Sequence, residues 1–185
     1  MDKKTIILNA ALDLIDAQGI HNAPMAKIAK DANVAAGTLY LYFENKQVLV
    51  DELYTSIKSD MSKSILELVN KAETFEEKLY MCWRGFLDYF MENPKKTRFL
   101  DIYSCSSYIS TQLVDSNYKL FDVYINMIKE AIEKKIIKDL PVVTILSYVI
   151  GPIKELQDQH ETLGVEIDEE IIKSMYDILL HGIAG

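Results

Sequence analysis

Glycine, proline and cysteine are scarce in this chain, which has 7 glycines, 4 prolines and 2 cysteines among 185 residues. So few helix breakers favour long helices joined by short turns. Cys82 and Cys105 lack the CxxC spacing of metal sites, so we expect neither a disulfide scaffold nor zinc, and the expected location is a reducing cytoplasm. No apolar run approaches the roughly 18 residues of a membrane-spanning helix. The first residues also lack the apolar core of a secretory signal, so we expect none.

The motifs that carry enzyme chemistry are missing as well. The three histidines, His21, His160 and His181, are far apart in the sequence, and none stands in a metal or nucleophile motif. The sequence has no glycine-rich phosphate loop, so no cofactor is expected. A helical enzyme with an apolar substrate cavity is nevertheless kept as an alternative interpretation.

Negative charge dominates only part of the chain. The formal net charge is −8, which disfavours nucleic acid as a partner on electrostatic grounds. Residues 1–48, however, contain five lysines and five acidic residues, so this quarter is neutral and the rest carries the whole excess. The charge of the N-terminal quarter is therefore compatible with DNA, although it is not an argument for DNA.

Helical periodicity covers the chain, and we find no alternating strand pattern. Leu8, Ala11, Leu12 and Ile15 recur on one face of a first helix, and Gly19 stands where a left-handed cap would end it. The sequence predicts an all-α fold of about nine helices, at residues 3–18, 25–32, 36–43, 46–71, 75–92, 96–106, 113–137, 142–161 and 168–182.

The first 45 residues predict a helix-turn-helix, because their second and third helices are very short. In the third helix Leu39 and Phe43 are four residues apart and are expected in the core. The small residues before them permit close approach to a duplex, Thr38 can contact base edges, and tyrosine hydroxyls can reach phosphates. Lys46 stands at a helix N-terminus, where a cation and backbone N–H groups can bind one anion. The candidate DNA-binding residues are Ala35, Ala36, Gly37, Thr38, Tyr40, Leu41, Tyr42 and Lys46.

The N-terminal segment contains a distinctive set of residues, Ile7-Leu8, Ala10-Ala11, Gly19, Ile28-Ala29 and Gly37-Thr38-Leu39-Tyr40-x-Tyr42-Phe43-x-x-Lys46-x-x-Leu49. In these residues the chain resembles the TetR family of bacterial transcriptional regulators. The resemblance covers about residues 5–54 and implies a DNA-binding head over residues 1–45 and a ligand-binding and dimerisation body over residues 46–185. It also implies a homodimer, usually a repressor, that leaves its operator when a small molecule binds.

The chain departs from the family pattern at positions that commonly contact DNA. Ala23-Pro24-Met25 stands where the family usually has Ser or Thr, and Ala35 and Ala36 stand where it often has Ser and Lys. Each missing group removes a contact, so we expect weaker non-specific affinity and a shallower salt dependence. A regulator that binds DNA weakly and acts through protein partners is a further alternative.

Aromatic side chains concentrate in the body, where residues 75–148 hold 13 of the 18 in the chain. An aromatic stripe at helical spacing is more often core than pocket, but ligand sites between helices are lined in the same way. The resemblance implies a pocket between these elements, and we expect an aromatic or lipophilic ligand. The candidate ligand-binding residues are Trp83, Phe86, Phe90, Phe99, Tyr103, Tyr108, Phe121, Tyr124 and Tyr148.

The last two predicted helices are apolar on more than one face. A surface helix needs only one apolar face, so a second face indicates a partner. The resemblance assigns dimerisation to this pair, as a four-helix bundle across a two-fold axis. The candidate interface residues are Val142, Leu146, Val149, Ile153, Ile171, Met175, Ile178 and Leu179. The resulting hypothesis is a homodimeric repressor that binds a (pseudo)palindromic operator.

Overall fold

The computed structural model describes residues 2–104 and 111–184, with residues 111–121 described by their backbone alone. Within these ranges the chain is helical, and one antiparallel bridge joins Ile137 to Ala184. The all-α prediction is confirmed. The described helices are α1 (Lys3–Gln18), α2 (Met25–Asp31), α3 (Ala36–Tyr42), α4 (Lys46–Val69), α5 (Phe75–Glu92), α6 (Pro94–Ser104), α7 (Thr111–Glu133), α8 (Val142–Leu163) and α9 (Glu169–Ile183).

Side-chain oxygens cap several helices at their first turn. The Asp2 carboxylate accepts the N–H of Thr5 at 2.8 Å, and Asp168 accepts the N–H of Ile171 at 2.9 Å. At the start of α4, Asn45 Oδ1 accepts the N–H of Val48 at 3.0 Å. Each cap satisfies a backbone donor that has no partner inside its helix, which is why these helices begin where they do.

Some helix ends differ from the sequence prediction for identifiable reasons. Helix α6 begins at Pro94 rather than at residue 96, because the missing N–H of proline needs no partner in a first turn. Helix α7 ends at Glu133 rather than at residue 137, because Lys135 adopts φ +58° and the N–H of Ile136 turns back to the carbonyl of Ala131 at 2.9 Å. The predicted break at residues 104–111 lies almost entirely outside the described residues.

The chain packs as two compact units. The first contains Met1–Asp60 and Asn93–Tyr118, and the second contains Met61–Glu92 and Lys119–Gly185. Helix α4 therefore contributes its first half to one unit and its second half to the other. The boundary predicted from the sequence, between residues 45 and 46, separates a DNA-binding head from a ligand-binding body. It stays a prediction.

In the first unit, α1 packs against both α2 and α6. Its inward face is apolar, and Ile7 and Ala11 are fully buried. Ion pairs tie α6 to α1 and to α4: Lys95 to Asp13 at 2.5 Å, Arg98 to Asp16 at 3.0 Å, and Lys96 to Asp60 at 2.6 Å. These ion pairs hold α6 against α1 and against α4.

In the second unit, α5 approaches the second half of α4 closely at Gly85. A Cβ atom at that position would lie 3.2 Å from two side-chain carbons of Ile65. Helix α5 also reaches the start of α9, where the Arg84 guanidinium binds both carboxylate oxygens of Glu169, at 3.0 and 3.1 Å. These contacts, with the packing of α5 on α8, hold the helices that surround an internal cavity.

Candidate functional site

Helices α2 and α3 are joined by a tight turn centred on Asn33. That residue adopts φ +54°, a left-handed conformation that asparagine tolerates, and the N–H of Val34 bonds to the carbonyl of Ala29 at 2.9 Å. The turn therefore ends α2 and redirects the chain into α3. This is the local geometry of a helix-turn-helix, in which the second helix is the one that enters the major groove.

Helix α3 has one buried face and one exposed face. Leu39 and Phe43 are buried in the core, as the sequence predicts. Tyr40, Leu41 and Tyr42 are 52%, 86% and 44% exposed. The other candidates on this helix follow the same division, since Ala35, Ala36 and Gly37 are exposed and Thr38 is half-buried. The structure therefore brings the predicted DNA-binding residues of α3 onto a surface.

The first turns of α2 and α3 have no side-chain cap. Pro24 and Ala35 occupy the two cap positions, and neither makes a side-chain hydrogen bond to its helix. Met25, the first residue of α2, packs into the core. The backbone donors of these two turns are therefore not satisfied by their own cap side chains.

Lys46 occupies the first position of α4, as predicted. Its ammonium lies against the backbone of the first unit and donates to the carbonyl of His21 at 3.3 Å. Burial lowers the pKa of this lysine from its usual value. The hydrogen bond holds the ammonium close to the helix-turn-helix, and its role toward phosphate stays a prediction.

The second unit contains a partly open cavity of about 80 Å³. Three of the predicted ligand-binding residues, Trp83, Phe86 and Tyr124, line it. The remaining lining is mostly aliphatic and comes from α5, α7, α8, α9 and the turn after α7. Those further residues are Leu79, Cys82, Met127, Ile128, Ile137, Ile145, Leu146, Val149, Tyr176, Leu179, Leu180 and Ile183.

No charged side chain lines this cavity in the part of the chain described. Its polar side-chain groups are two phenols, one indole N–H and one thiol. The hydroxyl of Tyr124 donates to the carbonyl of Ser62 at 2.9 Å, and burial raises the pKa of that phenol to about 12. Burial also raises the pKa of Tyr176, and it raises the pKa of the Cys82 thiol to about 12. The surroundings thus favour neutral groups, which suits an uncharged, apolar ligand segment.

The other predicted ligand-binding residues do not line this cavity. Phe90 is buried in the second unit, and its carbonyl accepts from Gln157 Nε2 at 2.7 Å. Tyr148 is half-exposed and lies against Gly182. Phe99 and Tyr103 belong to the first unit, whereas Tyr108 and Phe121 lie outside the side chains that the structure describes.

Tyr103 takes part in a polar cluster that sequence reasoning missed. Its hydroxyl donates to Asp51 Oδ1, and Gln47 Nε2 donates to the same oxygen at 2.8 Å and to the Tyr103 hydroxyl at 3.0 Å. The ring of Tyr103 also stacks on Phe99, with centroids 5.5 Å apart. Burial and the neighbouring Asp51 carboxylate raise the pKa of Tyr103. This cluster joins α6 to the first half of α4.

The candidate interface residues of α8 and α9 divide into two groups. Ile153 and Leu179 are buried within the chain, and Leu146 and Val149 line its cavity, so these side chains point toward the interior of the chain itself. Val142, Ile171 and Met175 are half-buried. Ile178 is 66% exposed, and Val143, outside the predicted set, is 70% exposed. Assignment of the interface to α8 and α9 stays a prediction, with Ile178 and Val143 as its exposed apolar members.

In residues 2–104 and 111–184, no helix has both the length and the apolar character needed to cross a membrane. Within them, no three His, Cys, Asp or Glu side chains are grouped as metal ligands.

Residues 7–53 match the family model of bacterial regulatory proteins, tetR family. The chain is 26% identical to the HTH-type transcriptional regulator YhgD of Bacillus subtilis over 187 residues, which cover 96% of this chain and 94% of that protein. It is 33% identical to an HTH-type transcriptional regulator of Haemophilus influenzae over 88 residues, which cover 48% of this chain and only 47% of that protein.

Solved structures have the same fold. A TetR family transcription regulator from Marinobacter aquaeolei superposes with a TM-score of 0.92 at 20% identity, covering 98% of this chain and 95% of that one. The fatty acid degradation regulator FadR from Bacillus halodurans superposes with a TM-score of 0.77 at 26% identity, covering 96% of this chain and 98% of that one.

Proposed function

The chain belongs to the TetR family of bacterial transcriptional regulators, and from that premise we propose that it is a homodimeric repressor released from its operator by a lipophilic or aromatic small molecule. The observation that carries the proposal is the exposed face of α3. It lies inside the segment that matches the family model, and its side chains are accessible while Leu39 and Phe43 anchor the helix. The proposed location is the bacterial cytoplasm, where operator DNA is accessible.

The DNA-binding part of the proposal assigns different tasks to the exposed residues. Tyr40 and Tyr42 have hydroxyls at the ends of long rings, which suits contact with phosphates beside the groove. Gly37 and Thr38 are nearer the start of α3, from which a recognition helix contacts base edges. Because residues 1–48 carry no net charge, the phosphate contribution is small, and we expect the affinity to fall less steeply with salt than for a basic head.

A two-fold symmetric operator requires two heads. The apolar side chains of Ile178 and Val143 are largely exposed on α9 and α8. Burying such residues against the same residues of a second copy would remove apolar surface from water on both sides of a two-fold axis. This supports a dimer through α8 and α9, which places one recognition helix on each half-site.

The ligand part of the proposal rests on the cavity between α5, α7, α8 and α9. Its volume of about 80 Å³ is smaller than that of an engineered cavity of roughly 150 Å³ that binds benzene in another protein. A ligand larger than this space therefore requires the surrounding helices to move apart. Such a ligand binds an expanded arrangement of the helices better than the contracted one. This difference in affinity shifts the protein population toward the expanded conformation.

A fatty acyl chain is the first ligand class to test. Among the residues whose side chains are described, the lining carries no charge, so it suits methylene groups and leaves a polar headgroup outside. The FadR relative from Bacillus halodurans is named as a regulator of fatty acid degradation, which supports the same class. Aromatic compounds are the second class, because Trp83, Phe86 and Tyr176 offer ring faces and edges.

Chain continuity offers a route from the ligand to the DNA. Helix α4 passes from the second unit, at Ile65, into the first unit, where Asp51 binds the α6 residue Tyr103. A helix transmits displacement along its axis because its hydrogen bonds are internal. A shift of α4 would therefore displace α6 and the N-terminal helices. In a dimer, this displacement would move the two heads out of register with successive major grooves.

The testing experiment begins with a selection of bound fragments from genomic DNA by the full-length protein. The selected duplex and a scrambled duplex are then titrated by fluorescence anisotropy, with and without palmitic acid or its CoA ester. We expect specific binding that weakens when the ligand is added. If no genomic fragment is enriched, the repressor proposal fails and the partner-binding alternative takes its place.

A further inference from the structure

The side chains on α3 have an unusual chemistry for a helix that reads DNA. The helix sequence, Ala36 to Tyr42, is AGTLYLY, which contains no amide, carboxylate, guanidinium or ammonium group. Direct readout of guanine uses arginine or lysine, readout of adenine uses asparagine or glutamine, and readout of cytosine uses a carboxylate. The base-edge feature that this helix is best equipped to bind is the one apolar group in the major groove, the C5-methyl of thymine.

Leu41 is placed to make that contact. A helix turns by about 100° per residue, so Leu41 lies about 200° around α3 from Leu39, on the side opposite the core. It is 86% exposed, while Leu39 and Phe43 are fully buried and already anchor the helix. An exposed leucine flanked by two exposed tyrosines contributes little to folding, and such an apolar patch indicates a binding surface.

Gly37 completes the geometry of this surface. It stands four residues before Leu41, one turn along the same exposed face, and a Cβ atom built there would meet nothing within 4 Å. The backbone of α3 can therefore approach the floor of the groove at Gly37. The side chain of Leu41 extends beyond that backbone and can reach a base edge in the same approach.

The charge of the head does not replace this readout. Residues 1–48 contain five lysines and five acidic residues, and one of these lysines, Lys4, pairs with Glu52 at 2.6 Å. With residues 1–48 neutral, base contacts must supply a larger share of the affinity than in a basic head.

We infer that Leu41 is a specificity-determining residue that reads a thymine C5-methyl group in each operator half-site. The inference rests on the proposed DNA-binding function and adds the base and the group recognised. It predicts a thymine at one fixed position of each half-site and no requirement for a guanine beneath α3.

The test uses deoxyuridine, which pairs like thymidine but lacks the methyl group. The selected operator is synthesised with each thymidine replaced in turn, and affinities for the full-length protein are measured by anisotropy. We expect about a fourfold loss at one thymidine of each half-site, the factor that one buried methyl group gives, and about the square of that loss when both half-sites are replaced. Replacement elsewhere should have little effect.

Variants connect the effect to the side chain. Leu41→Ala should reduce the ratio of thymidine to deoxyuridine affinity to near one, while Leu41→Met, which keeps an apolar contact, should retain most of it. An unchanged ratio in Leu41→Ala overturns the assignment to this residue. Specific operator binding with no sensitivity to deoxyuridine overturns the inference but leaves the proposed function standing, whereas absence of specific binding by the unmodified protein overturns both.

Discussion

Arg98 on α6 binds Asp16 on α1 through two parallel hydrogen bonds. Its Nε atom lies 3.0 Å from Oδ1, and its Nη2 atom donates to Oδ2 at 3.1 Å. This fork geometry fixes orientation as well as distance, which a single lysine contact does not. The pair therefore aligns α6 with α1, the first helix of the proposed DNA-binding head.

Loss of this pair should reduce the effect of ligand on operator affinity more than it lowers the free energy of unfolding. The pair is partly exposed, so Arg98→Ala should lower the free energy of unfolding by about 1 kcal/mol or less in urea titrations. If α6 carries the ligand effect to α1, the ratio of operator affinities without and with ligand should fall severalfold. The control is Lys134→Ala, which removes an exposed ion pair to Glu130 at the end of α7 together with the contact of the Lys134 ammonium with the Phe75 ring. An unchanged affinity ratio in Arg98→Ala would rule out this role for the pair.

Gly37→Ala should lower operator affinity without lowering the free energy of unfolding. A Cβ atom meets nothing within 4 Å at this position, and alanine is favoured over glycine in a helix by about 1 kcal/mol. We expect a free energy of unfolding that is unchanged or higher, together with operator affinity at least severalfold lower, because the methyl group occupies the closest approach to the duplex. Ser64→Ala on an exposed position of α4 is the control. Full operator affinity in Gly37→Ala would show that the backbone does not approach the groove there.

Alkaline pH should destabilise the second unit through two buried groups. Burial raises the pKa of Cys82 from 9.0 to about 12 and that of Tyr124 from 10.0 to about 12. The folded state holds these protons to higher pH than the unfolded chain, so their contribution is complete below pH 9 and is lost as the pH rises through about 12.

The measurement is urea unfolding at several pH values, followed by the fluorescence of Trp83, the one tryptophan of the chain. The free energy of unfolding should fall between about pH 9 and 12. Cys82→Ala should remove the part of the decline that begins near pH 9. If its decline superimposes on that of the unmodified protein, the thiol does not contribute.

Val149→Phe should block the cavity. Val149 lines the space of about 80 Å³, and the added ring atoms occupy volume that a ligand would need. Palmitic acid binding, followed by Trp83 fluorescence, should weaken at least tenfold, while operator binding in the absence of ligand is retained. Val123→Phe makes the same change on the exposed side of α7 and should bind palmitic acid normally. Equal ligand affinity in the two variants would locate the ligand elsewhere.

Ile178→Glu should disrupt the dimer. The side chain is 66% exposed in one subunit, so the charge is tolerated by the monomer but opposes burial at an apolar interface. Sedimentation equilibrium should show monomers for this variant and dimers for Ile102→Glu, which changes an exposed isoleucine of α6. An intact Ile178→Glu dimer would contradict the interface assignment. Val149→Glu is not an equivalent test, because Val149 lines the cavity of its own subunit.

The helices and the two faces of α3 could be predicted from sequence because they depend on local spacing. Leu39 and Phe43 are one turn apart, so they share a face, and the residues between them must point elsewhere. The helix ends were less predictable where a residue type is common both after a helix and in the first turn of a helix. Pro94 ends no helix but begins α6, since it serves equally well after one helix and in the first turn of the next.

The cavity could be predicted only in part. Trp83 and Tyr124 were identifiable as aromatic residues of the body, but Ile145 and Leu180 have the same helical spacing whether they fill a core or border a space. The contact of Tyr103 with Asp51 joins residues that are 52 positions apart, so no local pattern contains it. The inward direction of Val149 similarly depends on how α8 packs rather than on its apolar stripe.

The most direct test of the central claim is the reciprocity of ligand and operator. Operator affinity is measured by anisotropy with and without saturating palmitoyl-CoA, and palmitoyl-CoA affinity is measured by Trp83 fluorescence with and without saturating operator. Because one coupling free energy links the two sites, each partner should weaken the other by the same factor. Tight binding of both partners with neither affinity changed by the other would contradict the account of a ligand-released repressor.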